Sequence, residues 1–314
     1  MKILIDDFGT DHMYAADGTF SHAAAPWMNA KAAQAGLSSM PEGVNDERTV
    51  DPPITIDMEA FNHSAAAYAG MARTDPQAVW LFQTWSWLGS QAQGYMKGWI
   101  TAVPNGSLIL LDLMAEESPL WKRTQSYYGA PFLWCMLNDF GGNNGMWGDF
   151  ESINAGPAAA RAAGATMIGT GLTPEGVWQN AVVFDLMNEN SYRSGAVDLR
   201  DWVARYASRR YGAQTHAALQ QLTAAWQTLR QTAYNGSDGE MVSKDTVTAI
   251  PYGRPWDRVD GTDDPRTNQS LYDDVVFLSA WKAMLTASDL EPALAQKSTF
   301  VYDLVDIGRQ AMAK

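Results

Sequence analysis

The chain has 314 residues, a formal charge of −13 and a pI near 4.6, a balance that repels phosphate backbones and anionic lipid surfaces, so neither nucleic acid nor a membrane is an expected partner. Hydrophobic residues at 46% and charged residues at 18% suit a compact fold and exclude extended disorder. The single cysteine, Cys135, cannot form an internal disulfide, the four histidines form no Cys/His cluster of zinc spacing, and no Gly-rich phosphate loop follows a strand, so neither a metal nor an organic cofactor is expected.

At the start of the chain, Met1-Lys2-Ile3-Leu4-Ile5 runs into Asp6 and Asp7 before a signal-peptide core can form, and no apolar run approaches the length of a membrane span. The Asn-x-Ser sequons at Asn62, Asn105, Asn235 and Asn268 are as many as chance supplies, so the compartment stays open. From about residue 10 to 180, short β-favouring runs that end in polar, Gly or acidic residues alternate with helix-compatible stretches, the pattern of repeated βα units. Strands are expected at His12–Asp17, Val79–Gln83, Leu108–Asp112, Leu133–Asn138 and Thr166–Thr170. Helices are expected over His63–Ala72 and Pro157–Ala163, the second with its proline in the first turn, where a missing N–H is harmless. Gly36–Pro53, rich in Gly, Ser, Pro and charge, has the length of an insertion in a βα loop.

Beyond Asn180 the texture changes. Leu199, Trp202, Val203, Tyr206 and Tyr211, then Ala218, Leu219, Leu222, Trp226 and Leu229, recur at three- and four-residue intervals, the spacing of helices with one apolar face. A polar loop from Asn235 to Asn268 separates these from a further pair near Tyr272–Thr286 and Phe300–Ala313, so this half reads as all-α.

In a β/α barrel the site forms at the C-terminal ends of the strands, which makes the residue just past each apolar run the one to inspect. Here those positions are acidic and aromatic. The first strand ends at Asp17, the second runs into Thr84-Trp85-Ser86-Trp87, and the third ends at Asp112 with Glu116 and Glu117 close behind. The fourth runs into Asn138-Asp139-Phe140-Gly141-Gly142-Asn143, and the fifth into Gly169-Thr170-Gly171-Leu172-Thr173-Pro174-Glu175-Gly176. Carboxylates and amides beside Trp rings bind hydroxyls, stack on sugar C–H faces and stabilise an oxocarbenium-like transition state, which is glycosidase chemistry. Each residue also has a plainer fate: most of the 13 Trp can serve a core, and Asp112 or Asp139 taken singly caps a helix or closes a loop as readily as it catalyses. Glu175 stands apart, because the glycines let backbone approach a ligand and Pro174 restricts how the carboxylate is presented.

The segments Phe8–Asp17, Leu110-Leu111-Asp112-Leu113 through Glu116, Phe132–Asn143, Gly169–Gly176 with Gln179-Asn180, Arg209-Arg210-Tyr211-Gly212 and Tyr302–Asp306 with Arg309-Gln310 resemble, in the same order, motifs of the alpha-N-acetylglucosaminidases, glycoside hydrolase family 89. The resemblance implies the fold class: α/β, with part of a TIM-type (β/α)8 barrel over residues 1–182, an inserted loop near 36–53, and an all-α domain over 183–314. It implies Glu175 as the nucleophile that forms a glycosyl-enzyme, with Asp17, Trp85, Asp112, Glu116, Cys135 and Asn138 positioning the sugar, although Cys135 reads equally well as barrel core. Family members also carry a small domain and further strands ahead of the Phe8 segment and more helices beyond the last motif. Five strands cannot close an eight-stranded barrel, so a fragment is expected, completed by a missing barrel half or a second copy.

The chain departs from the family at one catalytic position. There Ala-Asp is followed by Thr-Phe-Asn-Glu, whose Glu protonates the leaving oxygen, whereas here Ala16-Asp17 is followed by Gly18-Thr19-Phe20-Ser21-His22. Glu59 is the nearest downstream carboxylate able to take over, with Glu42 and Glu47 in the insertion behind it, and helix capping is its plainer fate. The expected activity is retaining, exo-acting removal of terminal alpha-linked N-acetylglucosamine from glycans or glycosaminoglycans. A barrel hydrolase for another N-acetylhexosamine linkage, and a carbohydrate-binding remnant without turnover, stay open as alternatives.

Overall fold

All five expected strands form in the computed structural model, which describes residues 1–16, 54–88, 92–138, 146–175, 180–236 and 272–312. Strands β1 (Met13–Ala15), β2 (Val79–Gln83), β3 (Leu108–Asp112), β4 (Phe132–Met136) and β5 (Met167–Leu172) are parallel and pair in chain order. Unbroken order marks a sector of a (β/α) barrel, since a doubly wound sheet reverses its order at a switch point. Helices α1 (Lys2–Phe8), α2 (Met58–Thr74), α3 (Gln93–Thr101), α4 (Leu120–Arg123) and α5 (Phe150–Ala162) precede and connect the strands. On β2 and β3 buried and half-buried residues alternate, as a period of two requires. The outer strands differ: Met13, Ile168 and Leu172 are 53%, 58% and 40% exposed, because among the described residues β1 and β5 have no outer neighbour.

Several boundaries differ from expectation, three of them for clear local reasons. β4 stops at Met136 because Asn138 has a φ of +66°, a left-handed conformation that cannot continue a strand. β5 starts after Thr166, whose hydroxyl donates to the carbonyls of Ser126 at 3.0 Å and Ala130 at 2.5 Å. Pro157 is not in a first turn but in the interior of α5, whose true start is capped by Asp149, with Ser152 donating through its N–H at 2.9 Å and its hydroxyl at 2.6 Å. An interior proline orphans the carbonyl four residues back, here that of Ile153, and the buried Asn190 side chain donates to it at 2.7 Å.

The chain divides into two compact units, the first made of Met1–Met136 and Ala159–Thr173, the second of Leu137–Ala158 and Pro174–Lys314. In the first, Trp80, Phe82, Trp87 and Trp99 pack with ring centroids 4.8 to 5.8 Å apart and are all buried, so these tryptophans are core. Asp57 caps α2 by accepting the N–H groups of Glu59 at 2.9 Å and Ala60 at 3.1 Å. A Cβ on Gly94 or Gly98 would lie 2.3 Å from the Thr55 carbonyl or 2.5 Å from that of Asp57, so only glycine lets α3 touch the segment that opens α2.

Between α4 and β4, Gln125, Ser126, Tyr127 and Tyr128 have φ of 51°, 57°, 52° and 52°, left-handed at successive non-glycine residues. Each such residue costs about 1–2 kcal/mol. The turn is held by N–H donation from Ser126 to the Trp121 carbonyl at 2.7 Å, from Tyr128 to that of Thr124 at 3.0 Å, and from Tyr127 to the Thr124 hydroxyl at 3.1 Å. Gln125 is exposed. Gln125→Gly is therefore expected to stabilise the chain by about 0.5–1 kcal/mol, the strain relieved less the extra entropy glycine loses on folding. Thermal melting checks this, and an unchanged or lower midpoint would mean that the strain is not present.

The second unit holds α6 (Ala181–Asn190), α7 (Leu199–Tyr211), α8 (His216–Gln231), α9 (Asp274–Leu290) and α10 (Ser298–Met312). Every residue expected on the apolar faces of α7 and α8 is buried except Leu219, which is half-buried. Arg210 donates to Asp303 through Nε at 2.5 Å and Nη2 at 2.8 Å, the Tyr211 hydroxyl donates to the same carboxylate at 2.6 Å, and Trp226 Nε1 donates to Tyr211 at 2.8 Å. This network ties α7, α8 and α10 together. The insertion near 36–53, and all but Asn235 and Gly236 of the expected Asn235–Asn268 loop, lie outside the described residues.

Candidate active site

β3 delivers Asp112 into the interior of the first unit at its last residue. The carboxylate is 0% exposed and accepts the N–H of Leu120 at 3.3 Å on Oδ1 and that of Trp121 at 3.0 Å on Oδ2. The buried Tyr127 phenol lies beside it and beside Thr84 just past β2, its hydroxyl without a hydrogen-bond partner among the described residues. Burial pushes the Asp112 carboxyl up to about 7, against the pull of the Trp121 N–H, the Tyr127 hydroxyl, the Leu120 N–H and the Arg123 charge. Cys135 on β4 is buried, and burial first, then the charges of Asp112 and Glu116, push its thiol up. Gly171, opposite it on β5, makes room: a Cβ there would sit 2.7 Å from the Cys135 sulfur.

Glu116, also buried, rides on the loop after β3. That loop is fixed where the Leu113 carbonyl accepts the Thr173 hydroxyl at 2.9 Å and where the Ala115 N–H donates to the Cys135 carbonyl at 3.0 Å. Asp112, Glu116 and Cys135 thus meet at the C-terminal ends of β3 and β4. Trp85 opens a 3-10 turn, Trp85–Trp87, just past β2 and is half-buried, whereas Trp87 belongs to the core.

Glu59 is exposed in the first turn of α2, where the helix dipole favours a negative charge. Asn138 and Glu175 belong to the second unit. Asn138 follows β4 by two residues and is fully buried, with its Oδ1 3.3 Å from where a Cβ on Gly148 would lie; Glu175 follows β5 by three residues and is exposed. Asp17, His22, Glu42, Glu47 and Asp139 lie outside the described residues. Among the described residues no three His, Cys, Asp or Glu side chains are grouped to hold a metal ion.

Sequence reasoning passed over the supports of this site, Tyr127, Thr84 and Thr173. Thr173 and Thr84 each follow a strand end by one residue, a signal that was there to use. Nothing in the sequence marks Tyr127.

A barrel sector with carboxylates gathered at its strand ends, followed by helices, defines a (β/α)-barrel protein with a helical companion. Residues 1–194 match the family model of the alpha-N-acetylglucosaminidase (NAGLU) tim-barrel domain, and residues 202–314 match that of the NAGLU C-terminal domain. The chain belongs to the alpha-N-acetylglucosaminidase family. It is 37% identical over 318 positions to the alpha-N-acetylglucosaminidase of Homo sapiens, a match covering 99% of this chain and 37% of the human protein. The family 89 glycoside hydrolase of Clostridium perfringens in complex with 2-acetamido-1,2-dideoxynojirmycin superimposes with a TM-score of 0.66 at 25% identity, over 82% of this chain and 27% of that one. A variant from the same organism with two glutamates changed to glutamine, in complex with its substrate GlcNAc-alpha-1,4-galactose, gives a TM-score of 0.65 at 25% identity over the same shares. The chain therefore spans 37% of the length of its human relative.

Proposed function

We propose that this chain supplies the nucleophile-bearing part of a retaining, exo-acting alpha-N-acetylglucosaminidase, in which Glu175 attacks the anomeric carbon of a terminal alpha-linked GlcNAc on a glycan or glycosaminoglycan. The observation that carries this reading is the placement of Glu175, an exposed carboxylate three residues beyond β5, in the segment that resembles the family's nucleophile motif. The human relative's name and the Clostridium complex with its GlcNAc-alpha-1,4-galactose substrate support the glycosidase part of it, as does the pair of glutamates altered in that variant, since retaining and inverting hydrolases alike use two carboxyl groups. In this reading Asp17, Trp85, Glu116, Cys135 and Asn138 line the sugar subsite, with the half-buried Trp85 ring stacking on the sugar face.

Assay of the full chain on an aryl alpha-GlcNAc tests the proposal. Sugar affinity without turnover would instead identify a carbohydrate-binding remnant, the reading favoured by Ser21-His22 standing where the family has Asn-Glu. For the proton donor, a second carboxyl must lie about 5 Å from the nucleophile, and Glu59 is our candidate. Glu59→Ala is expected to keep turnover of an activated aryl glycoside in added azide while losing roughly 10²–10⁴-fold on a disaccharide, whose leaving group needs the proton. Disaccharide hydrolysis that survives the change would place the donor elsewhere.

A further inference from the structure

We infer that Asp112 is a positioning residue: its carboxylate clamps the loop from Leu113 to Trp121 so that Glu116 stays beside Cys135 at the strand ends, and it acts on the substrate only through that loop. The contacts of the carboxylate carry this. Oδ1 takes the Leu120 N–H at 3.3 Å, Oδ2 takes the Trp121 N–H at 3.0 Å, and the whole side chain is 0% exposed. A sugar ligand needs an accessible oxygen, whereas a buried carboxylate shared between two backbone amides fixes the backbone that donates them. The loop so held is the one pinned at Leu113 by Thr173 and at Ala115 by Cys135.

Tyr127 is the second, independent sign. It sits within the left-handed run from Gln125 to Tyr128, is 0% exposed and packs on Phe132 with centroids 5.2 Å apart, beside the Asp112 carboxylate. Strain of this kind persists only where the surroundings over-determine it, and it gathers where a group must be held in place. Here the run seats a phenol against the one carboxylate that holds the loop. The other ionisable groups around Asp112 are Cys135, Glu116 and Arg123. The clamp stands on geometry alone; its effect on turnover rests on the hydrolase reading above.

Hydrogen exchange on the full chain tests the clamp directly. Asp112→Asn turns one acceptor into a donor that faces an N–H, so exchange across 113–121 should rise about tenfold or more, while α7 and α8 keep their protection. Asp112→Glu keeps the charge but moves the oxygens away from the two amides, and should raise exchange there by about threefold. On the aryl glycoside, Asp112→Asn should lower kcat about 10–100-fold and leave KM within about twofold, the mark of a misplaced catalytic environment with binding retained. Unchanged exchange across 113–121 in both variants would overturn the clamp, and a raised KM at constant kcat would make Asp112 a sugar contact instead. Should Asp112→Asn fail to fold, exchange in Asp112→Glu decides. Should the unmodified chain not turn the glycoside over, the hydrolase reading falls and the exchange result still judges the clamp.

Discussion

Glu175→Gln is expected to cut turnover of an aryl alpha-GlcNAc by roughly 10⁴-fold or more while the chain melts as before. Glutamine preserves the shape of the side chain and most of its hydrogen bonding but cannot attack the anomeric carbon. Because Glu175 is exposed, the change removes no buried charge and leaves no cavity, so a loss of activity cannot be ascribed to unfolding. Circular dichroism and the melting midpoint, taken beside the rate, check this. Near-normal turnover would move the nucleophile to another residue, whereas a collapsed melting curve would show that Glu175 holds structure.

Arg210→Ala is expected to destabilise the chain by about 3–5 kcal/mol, because breaking a buried ion pair strands the surviving partner. The side chains of Arg210 and Asp303 are only 16% and 9% exposed, and without the guanidinium Asp303 keeps the Tyr211 hydroxyl alone among its donors seen here. Asp306 adds to the penalty. Burial first and then the Asp303 charge push its carboxyl up to about 6, so an unpaired Asp303 repels it more strongly. The guanidinium also lies 5.6 Å from the Tyr206 ring, a cation–π contact that goes with it. Urea denaturation measures the loss, and adding Asp303→Asn to Arg210→Ala should recover part of it by removing the stranded charge. A loss below about 1 kcal/mol would mean that the pair behaves as a solvated surface bridge.

Period and punctuation made the strands legible. Val79–Gln83 and Leu108–Asp112 form where the apolar runs end in polar residues, and the three- and four-residue spacing of Leu199 through Tyr211 foretold which face of α7 is inside. Pro157 misled because the residue that makes an interior proline tolerable, Asn190, lies on another helix and cannot be found from local pattern. Asp149 with Ser152 was the better local signal for where α5 begins. For the site, strand-end logic pointed to Asp112 and Glu116 and the family resemblance to Cys135, and the structure brings the three together at the ends of β3 and β4. The plainer fate of Asp112 as a cap is the one it meets, at the start of α4, but which amides it takes could not be read, since partners eight and nine residues away leave no periodicity. Nor could strand-end logic find Tyr127, because non-glycine residues entering the left-handed region carry no compositional mark.

The two compact units are not consecutive lengths of chain. The first yields Leu137–Ala158 to the second and takes back Ala159–Thr173 before the second resumes. A break after Met136 would strip β5 from the first unit, and a break after Thr173 would strip the opening of α5 from the second. A single genetic crossover therefore has no point at which to exchange one unit for a foreign counterpart and leave both whole. The helical unit and the strand-bearing unit must descend together, and a transplant of either needs two junctions placed inside the other's reading frame.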